Sequence, residues 1–293
     1  MSFKNTPIPE AAKAAGFTKL ALADDFDDLS NIDFSGEGKP GYTWYADRPF
    51  KMPTMTEKDF TIIEDSVVHM EPEMCAPLIG ISTYSRKGDT GYTMQYGYLE
   101  ARIRVKIPGA AYQKKTHCWP AFWTLSRENF MGRRFEHCGE LDVVEMVTIH
   151  GGQPIYTGTL HDWHRTGEKT EDGKPVTRYA SNLINSSGYN DYFDYLDEEW
   201  HTYAALWEPG HVAWYLDNKL MHSARYNQWD LPQYFYRDSV TPLPRLEHRD
   251  PKWAKRTWKG AHHIMENDPQ VVTLGCRKAW PMDIDWVRIW EKE

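Results

Sequence analysis

The chain has 293 residues, 41% of them hydrophobic and 26% charged, which is the composition of a folded globular protein with a large core. Its net charge of −8 argues against a nucleic-acid partner, and it holds no run of about 18 apolar residues that could span a membrane. The aromatic content is high, with 13 Trp, 17 Tyr and 11 Phe. Such side chains pack in cores and also stack on the C–H faces of sugar rings.

The predicted elements begin with a short helix over residues 9–15, which Gly16 ends. Strand signals dominate the rest of the chain. Residues 97–107 alternate in polarity, which predicts a strand with one apolar and one polar face. The polar face of this strand is predicted to carry Glu100, Arg102, Arg104 and Lys106.

The C-terminal half predicts further short strands with tight turns. Residues 204–216 predict two strands joined by the Pro-Gly turn at 209–210, and the Asp-Asn pair at 217–218 predicts another turn before a third strand. Residues 282–290 alternate as a last strand. So many short strands indicate a sandwich or a barrel. We predict one domain, residues 1–293, with a long loop excursion over 222–268, a segment rich in Pro, Arg, His and Trp.

Cysteine usage gives no sign of a zinc site, because none of the four cysteines forms a C-x-x-C pair. Four cysteines allow three disulfide connectivities, among which the sequence does not choose. Without a dense cysteine framework, free thiols are favoured. The four residues are Cys75, Cys118, Cys138 and Cys276.

Three acidic residues interrupt an apolar stretch at 138–147. Side chains alternate faces along a strand, so Glu140 and Asp142 share one face and Glu145 falls on the other. One extra residue in a β-bulge at the Val-Val pair 143–144 returns Glu145 to the face of the other two. Mutual repulsion in such a row raises at least one pKa, an arrangement that proteins tolerate mainly where chemistry requires it.

Retaining hydrolysis of a glycosidic bond is a reaction that requires this arrangement. It needs one ionised carboxylate as nucleophile and one protonated carboxyl as acid, about 5–5.5 Å apart. The side chains of Glu140 and Glu145 would lean together, with Asp142 between them. The same pattern is also compatible with a solvated edge strand or a calcium site.

The chain resembles glycoside hydrolase family 16, whose active-site strand in its bulged form is similar to residues 140–145. Four further segments match the family in order, and together they span roughly residues 80 to 290. They are the stretches 96–102, 119–125 and 282–289 and the paired strands at 200–207 and 212–217.

The resemblance implies an all-β fold, a β-jelly-roll sandwich of two antiparallel sheets with a concave substrate cleft. It further implies endo-hydrolysis of a β-linked polysaccharide with retention, in a single catalytic domain to which residues 1–40 match only loosely. By position, Glu140 is the nucleophile, Glu145 the acid and base, and Asp142 the assisting carboxylate. No cofactor is required. A non-catalytic carbohydrate-binding jelly roll is the alternative class, but lectin-like relatives usually lose one of the two glutamates, and both are present here.

Five residues are expected to bind substrate. Trp119 and Trp123 would floor the cleft, and the alternative is that both belong to the core. His161, in a strand expected to face the catalytic one, would hydrogen-bond the acids or a sugar hydroxyl, or else be satisfied locally. Trp163 would extend the aromatic platform. Arg133 would meet an anionic substrate, or else lie in a solvated charged loop.

A structural calcium ion is a further expectation, since many family members carry one on the convex face. The acidic run at 24–28, with Asp25, and Asp285 would hold it, and a solvated acidic turn is the alternative.

The substrate remains open between two groups of polysaccharide. The Gly-Glu start of the catalytic strand favours β-1,3- or mixed β-1,3/1,4-glucan. The bulged strand is shared with enzymes that cleave agar, porphyran and carrageenan, and basic residues near the predicted cleft favour a sulfated galactan. These residues are Arg133, Arg134, Arg277 and Lys278.

A polymeric substrate implies an extracellular or periplasmic protein, although the N-terminus lacks the apolar core of a secretory signal. We expect a monomer. Transglycosylation, which uses the same glycosyl-enzyme and a sugar acceptor, is the third functional hypothesis.

Overall fold

The computed structural model describes residues 4, 6–73, 79–106, 119–133, 137–148, 154–169, 175–185, 198–225, 268–277 and 280–293. Within them, only the backbone is described at 137–138, 147–148, 154–155, 161–169, 175–185, 222 and 224–225. No helix in these ranges is long and apolar enough to cross a membrane.

The first sheet has eight strands, which include the first and the last strand of the described chain. Its order is β16-β15-β14-β9-β18-β5-β4, and β1 pairs with β18 as well. Every pairing along it is antiparallel. The strands are β1 (Lys19–Asp24), β4 (Phe60–Ile63), β5 (Val67–Met70), β9 (Gly97–Val105), β14 (His201–Glu208), β15 (His211–Leu216), β16 (Lys219–Arg225) and β18 (Met282–Glu291).

The second sheet also has eight strands, in the order β13-β12-β11-β10-β17-β6-β3-β2. Only the pairing of β2 with β3 is parallel within it. A separate hairpin, β7 (Tyr84–Ser85) with β8 (Thr90–Gly91), follows β6. The strands of the second sheet are β2 (Ile32–Asp33), β3 (Trp44–Tyr45), β6 (Ile81–Ser82), β10 (Ala121–Ser126), β11 (His137–Thr148), β12 (Pro154–Lys169), β13 (Pro175–Asn185) and β17 (Gln270–Gly275).

Helical structure in the described ranges is short. Helix α1 (Glu10–Ala14) confirms the N-terminal prediction, a 3₁₀ turn covers Glu57–Asp59, and helix α2 (Arg127–Phe130) follows β10 directly. Antiparallel strands therefore make up nearly the whole fold, and the predicted all-β sandwich is confirmed.

The main core lies between the two sheets. Inward-facing residues of both sheets form one buried cluster, as alternation along each strand predicts. From the first sheet it receives the apolar face of β9, and from the second it receives the apolar face of β11. Each sheet thus presents its other face away from this core, and the outer face of the second sheet is where the acidic row lies.

The turns predicted in the C-terminal half are present. Strands β14 and β15 flank residues 209–210, and β16 begins directly after 217–218. Asp217 and Asn218 both have positive φ, 48° and 64°, which is the backbone of a two-residue hairpin turn. Strand β16 extends into the segment 222–268 that was expected as a loop, and residues 226–267 lie outside the described part.

One face of β9 differs from the prediction. Glu100 was expected on the polar face of this strand, but it is 1% exposed and its Oε1 accepts a 2.9 Å hydrogen bond from Nε1 of Trp290. Ala12 of α1 and Phe17 pack with Tyr98 and Trp290 in a second apolar cluster on this outer face of the first sheet. The N-terminal segment therefore covers the end of a strand that would otherwise face water. Burial raises the pKa of Glu100 to about 7.

Candidate active site

The acidic row of β11 contains the predicted bulge. Asp142 pairs with Thr159 of β12, whereas Glu145 pairs with Thr157. Three steps along β11 thus match two steps along β12, which leaves one extra residue between the two acids. The register with β10 shifts at the same place, because Trp123 pairs with Asp142 and Phe122 with Val144. The bulge predicted from the sequence is confirmed.

The apolar neighbours of the acids explain why the strand bulges here. Leu141, Val143, Val144 and Met146 all belong to the core between the sheets. A regular strand would send either Val143 or Val144 to the outer face. The extra residue lets both valines stay buried, and the acids take the opposite face as a consequence.

Burial differs along the acidic row. Asp142 is 1% exposed, whereas Glu140 and Glu145 are intermediate between buried and exposed. A carboxyl that is nearly closed off from water between two partly open carboxyls is suited to tuning its neighbours rather than to touching a substrate. The two glutamates remain accessible at either end of the row.

The electrostatics of the row centre on Asp142. Burial raises its pKa most, and the charge of Glu145 and a hydrogen bond between the two carboxyls raise it further. The neutral form of Asp142 is therefore favoured, and its carboxyl is hydrogen-bonded to that of Glu145. The assignment of the catalytic proton to Glu145 stays a prediction.

Trp119 lies against the acidic row. Its Nε1 donates a 3.0 Å hydrogen bond to Oε1 of Glu145, and its partly buried ring packs against the core. The structure thus places Trp119 beside Glu145, and its predicted contact with sugar stays a prediction. A fixed N–H donor orients the Glu145 carboxyl on the open face of the strand.

Trp123 lies on the same face as the acids, because it pairs with Asp142 across β10 and β11. It is 6% exposed and belongs to an apolar cluster with Tyr84, Leu125 and Phe130. Most of the Trp123 ring is therefore buried, as the alternative of a core residue expects. The apolar cluster that contains Trp123 lies beside the acidic row and leaves little of this ring exposed to a substrate.

His161 and Trp163 lie on β12, where their backbones pair with Glu140 and Cys138 respectively. The register therefore places His161 directly across from Glu140, as expected of a strand that faces the acids. The side chains of both residues lie outside the described part of the structure, so their contacts with substrate stay predictions.

Arg133 is engaged by an acidic partner. Its Nη2 donates to Oδ2 of Asp89 at 2.5 Å, and Tyr84 donates its hydroxyl to the same carboxyl at 2.7 Å. The hydrogen bond from Tyr84, followed by that from Arg133, lowers the pKa of Asp89 to about 2. Arg133 thus has a local partner, and its predicted role toward an anionic substrate stays a prediction.

Basic side chains lie beside the carboxylates that were predicted to bind calcium. Asp25 pairs with Arg288 and accepts a hydrogen bond from the backbone N–H of Lys4. Asp285 pairs with both Lys4 and Arg102. The described residues contain no group of three or more His, Cys, Asp or Glu side chains that could hold a metal ion. The arrangement therefore does not fit calcium, since cationic side chains already balance these carboxylates.

Cys276 is buried and forms no disulfide, and its Sγ donates to the carbonyl of Met70 at 3.0 Å. The expectation of free thiols is confirmed for this residue. The side chains of Cys75, Cys118 and Cys138 lie outside the described part of the chain.

One residue near the site was missed by the sequence argument. Trp214 of β15, in the opposite sheet, donates from Nε1 to the backbone carbonyl of Asp142 at 2.8 Å. Its alternation with Val212 and Leu216 predicts an inward-facing ring, and a buried indole N–H needs an acceptor. That signal identifies Trp214 as buried and hydrogen-bonded, but it does not identify the acceptor.

Comparison with protein families gives a match over most of the chain. The family described as "Glycosyl hydrolases family 16" matches residues 54–244, a segment that includes all three acids of β11.

Two curated relatives are each less than 30% identical to this chain. A keratan-sulfate endo-1,4-beta-galactosidase from Sphingobacterium multivorum is 24% identical over 255 residues, covering 78% of this chain and 53% of that protein. A glucan endo-1,3-beta-glucosidase from Cryptopygus antarcticus is 28% identical over 131 residues, covering 44% of this chain and 40% of that protein. The chain thus spans about half the length, or less, of these relatives.

A laminarinase from Flavobacterium sp. UMI-01 shares the fold. Its structure covers 93% of this chain and 100% of its own length, with a TM-score of 0.50 and 16% sequence identity. The likeness supports the jelly-roll architecture.

Proposed function

Because the chain belongs to glycosyl hydrolase family 16, we propose that it is an endo-acting hydrolase of a β-linked polysaccharide that retains anomeric configuration. The observation that supports this most is the bulge in β11, which gives Glu140, Asp142 and Glu145 one common face. Two of these carboxyls are partly open and the third is buried between them, which is the division that a nucleophile, an acid and a tuning group require.

The first half of the proposed reaction breaks the glycosidic bond. The ionised carboxylate of Glu140 attacks the anomeric carbon, and a covalent glycosyl-enzyme forms. The carboxyl of Glu145 gives its proton to the leaving oxygen at the same time. Trp119, which donates to Oε1 of Glu145, holds that carboxyl in a fixed orientation during the transfer.

The second half releases the sugar. Glu145, now ionised, takes a proton from a water molecule, and the water oxygen attacks the anomeric carbon from the side opposite Glu140. The ester bond between the sugar and Glu140 breaks, and Glu140 leaves as an ionised carboxylate. Asp142 supports both halves, since its hydrogen bond to Glu145 lets the pair share the proton as the charge on Glu145 changes. All three acids come from one strand, so a monomer supplies the complete set.

The carboxyl separation required for retention restricts the side-chain positions. Glu140 and Glu145 pair with residues four apart on β12, which puts their Cα atoms roughly 13 Å apart at about 3.3 Å per residue. Retention needs carboxyls about 5–5.5 Å apart, so both side chains lean inward over Asp142.

β-1,3- or mixed β-1,3/1,4-glucan is the first proposed substrate. It follows from the Gly-Glu start of the catalytic strand and is consistent with the glucan endo-1,3-beta-glucosidase relative. A galactan is the second candidate, and it is favoured by the galactosidase relative, whose match extends over 78% of this chain. Either polymer lies outside the cytoplasm, so we propose an extracellular or periplasmic protein.

A panel of purified polysaccharides with reducing-end detection tests the proposal. We expect new reducing ends from laminarin or mixed-linkage glucan, or from agar, porphyran, carrageenan or keratan sulfate, and none with Glu140→Gln. Replacement of Glu145 by Gln should lower the rate about 10²–10⁴-fold, the usual contribution of a general acid. The control Glu37→Gln changes an exposed glutamate in a surface turn and should keep the parent rate.

Sugar binding by the wild type without new reducing ends would contradict hydrolysis and indicate the non-catalytic carbohydrate-binding alternative. Longer products at high acceptor concentration would indicate transglycosylation.

A further inference from the structure

The bulge in β11 has a hydrogen-bond partner in the opposite sheet. Trp214 is 1% exposed and lies in the core between the sheets, and its Nε1 reaches the carbonyl oxygen of Asp142 at 2.8 Å. That carbonyl begins the bulged segment, because the register with β12 shifts between Asp142 and Glu145. The bond therefore ties the start of the bulge to a strand of the other sheet.

We propose that Trp214 is a positioning residue for the acidic row: its indole N–H holds the bulge that brings Glu145 to the face of Glu140. This inference rests on the proposed function. Backbone groups at a bulge lose their regular ladder partners, and a buried carbonyl needs a donor. Trp214 supplies that donor from the core side, where no solvent competes.

The far end of the bulged segment is fixed from the neighbouring strand. The N–H of Met146 donates to the carbonyl of Pro120 at 2.9 Å, and Glu145 lies directly before it. The residues between Asp142 and Met146 are therefore contacted at both ends, by Trp214 from the core side and by Pro120, which directly precedes β10. Loss of the Trp214 bond removes one of these two contacts and lets the bulge shift along β11.

A shift of the bulge would move Glu145 relative to Glu140 without removing any catalytic group. Misplacement of a catalytic group by about 1 Å can cost about a hundredfold in rate. The effect should appear mainly in kcat, because Glu145 acts in the chemical step and the sugar-binding surface is unchanged.

The test compares Trp214→Phe with Trp280→Phe. Trp280 is also fully buried in the core between the sheets, and its Nε1 has no hydrogen-bond partner in the described structure. The two variants therefore remove the same atoms, but only one removes the bond to the bulge. We expect Trp214→Phe to lower kcat at least about tenfold with little change in KM, and Trp280→Phe to stay within about twofold of the parent.

A second replacement guards against misfolding. Benzothienylalanine at position 214 keeps the shape of the indole and lacks the N–H, so it should reproduce the loss of kcat while the thermal midpoint stays near that of the parent. A parent-like kcat in this protein, or an equal loss in Trp280→Phe, would overturn the proposal.

Backbone hydrogen exchange separates this proposal from the function on which it rests. Faster exchange at residues 143–146 in the position-214 variants, with unchanged exchange elsewhere in β11, is expected whether or not a polysaccharide is cleaved. Unchanged exchange there would overturn the positioning role. A wild-type protein inactive on every polymer would contradict the proposed function alone.

Discussion

Trp119 and Glu145 are joined by a 3.0 Å hydrogen bond from the indole Nε1 to the carboxyl Oε1. Trp119 lies two residues before Ala121 of β10, the residue with which Glu145 pairs in the second sheet. The indole thus combines a flat surface at the edge of the acidic row with a donor aimed at the proposed acid. These two contributions can be separated by mutation.

Trp119→Phe keeps a flat ring and removes the donor. We expect kcat to fall about 10- to 150-fold, because one hydrogen bond to a charged group contributes about 1.5–3 kcal/mol, while KM changes little. Trp119→Ala removes the ring as well and should also raise KM if the ring stacks on sugar. Steady-state kinetics on the preferred polymer measure both. Equal kinetics for the Phe variant and the parent would show that the bond does not orient Glu145.

Asp142→Asn should stabilise the fold at neutral pH while it lowers activity. Burial and the neighbouring Glu145 raise the pKa of Asp142 in the folded state above its usual value of 3.8. The contribution of Asp142 to the free energy of unfolding is therefore fully present below pH 3.8 and is lost as pH rises through the folded-state pKa. Asn does not ionise, so the variant does not lose stability in this way.

Chemical denaturation of the parent and the Asn variant at pH 4 and pH 8 measures this difference. We expect the free energy of unfolding of the variant, relative to the parent, to be higher at pH 8 than at pH 4, with a lower kcat at both. A relative stability that falls from pH 4 to pH 8 would contradict the raised pKa.

Glu100→Gln should change the pH dependence of stability without changing the reaction. The folded-state pKa of Glu100 is about 7, against an ordinary value of 4.5. The parent should therefore lose roughly 3 kcal/mol of stability as pH rises from 4 to 8 through this group, and the Gln variant should not. Denaturation curves at both pH values give the difference. Parallel pH dependence in the two proteins would argue against a protonated Glu100, and an altered kcat would argue against its separation from the site.

Calcium should have no effect on the thermal midpoint of the parent protein. The ammonium of Lys4 pairs with Asp285 and also donates to the carbonyls of Ser66 at 2.9 Å and Asp285 at 3.0 Å. This cation already occupies a set of oxygen atoms of the kind that calcium binds. A chelator should therefore leave thermal unfolding of the parent unchanged, and a fall in its midpoint would contradict this account.

Lys4→Met removes the cation and leaves the oxygens. We expect about 1 kcal/mol of lost stability, since the ion pair is partly exposed, and partial recovery on addition of calcium but not of sodium. Differential scanning calorimetry of the variant with each salt measures the recovery. If calcium raised the thermal midpoints of the parent and the variant by the same amount, Lys4 would not take the place of a metal ion.

Sequence reasoning predicted the acidic row well because the evidence was local. Alternation alone places Glu145 on the face opposite Glu140 and Asp142, and one extra residue brings it to their face. The bulge could therefore be predicted from the positions of the three acids. The turns at 209–210 and 217–218 were likewise set by Pro, Gly, Asp and Asn within the turns.

Long-range contacts account for what the sequence argument did not predict. Glu100 has the alternation of a solvated residue, but α1 and Phe17, more than eighty residues away, pack over its strand. The acceptor for Trp214 lies seventy-two positions earlier, in the other sheet. The pairing of Lys4 with Asp285 joins the two ends of the described chain. No local pattern carries such information.

The anomeric configuration of the first product tests the central claim most directly. If Glu140 forms a covalent intermediate and Glu145 then activates water, two inversions give a new reducing end in the β configuration. Proton NMR in the first minutes of hydrolysis should show the β-anomer signal, with the α-anomer growing only later by mutarotation. An α-anomer that appears first would show a single inversion, and it would contradict the roles proposed for Glu140 and Glu145.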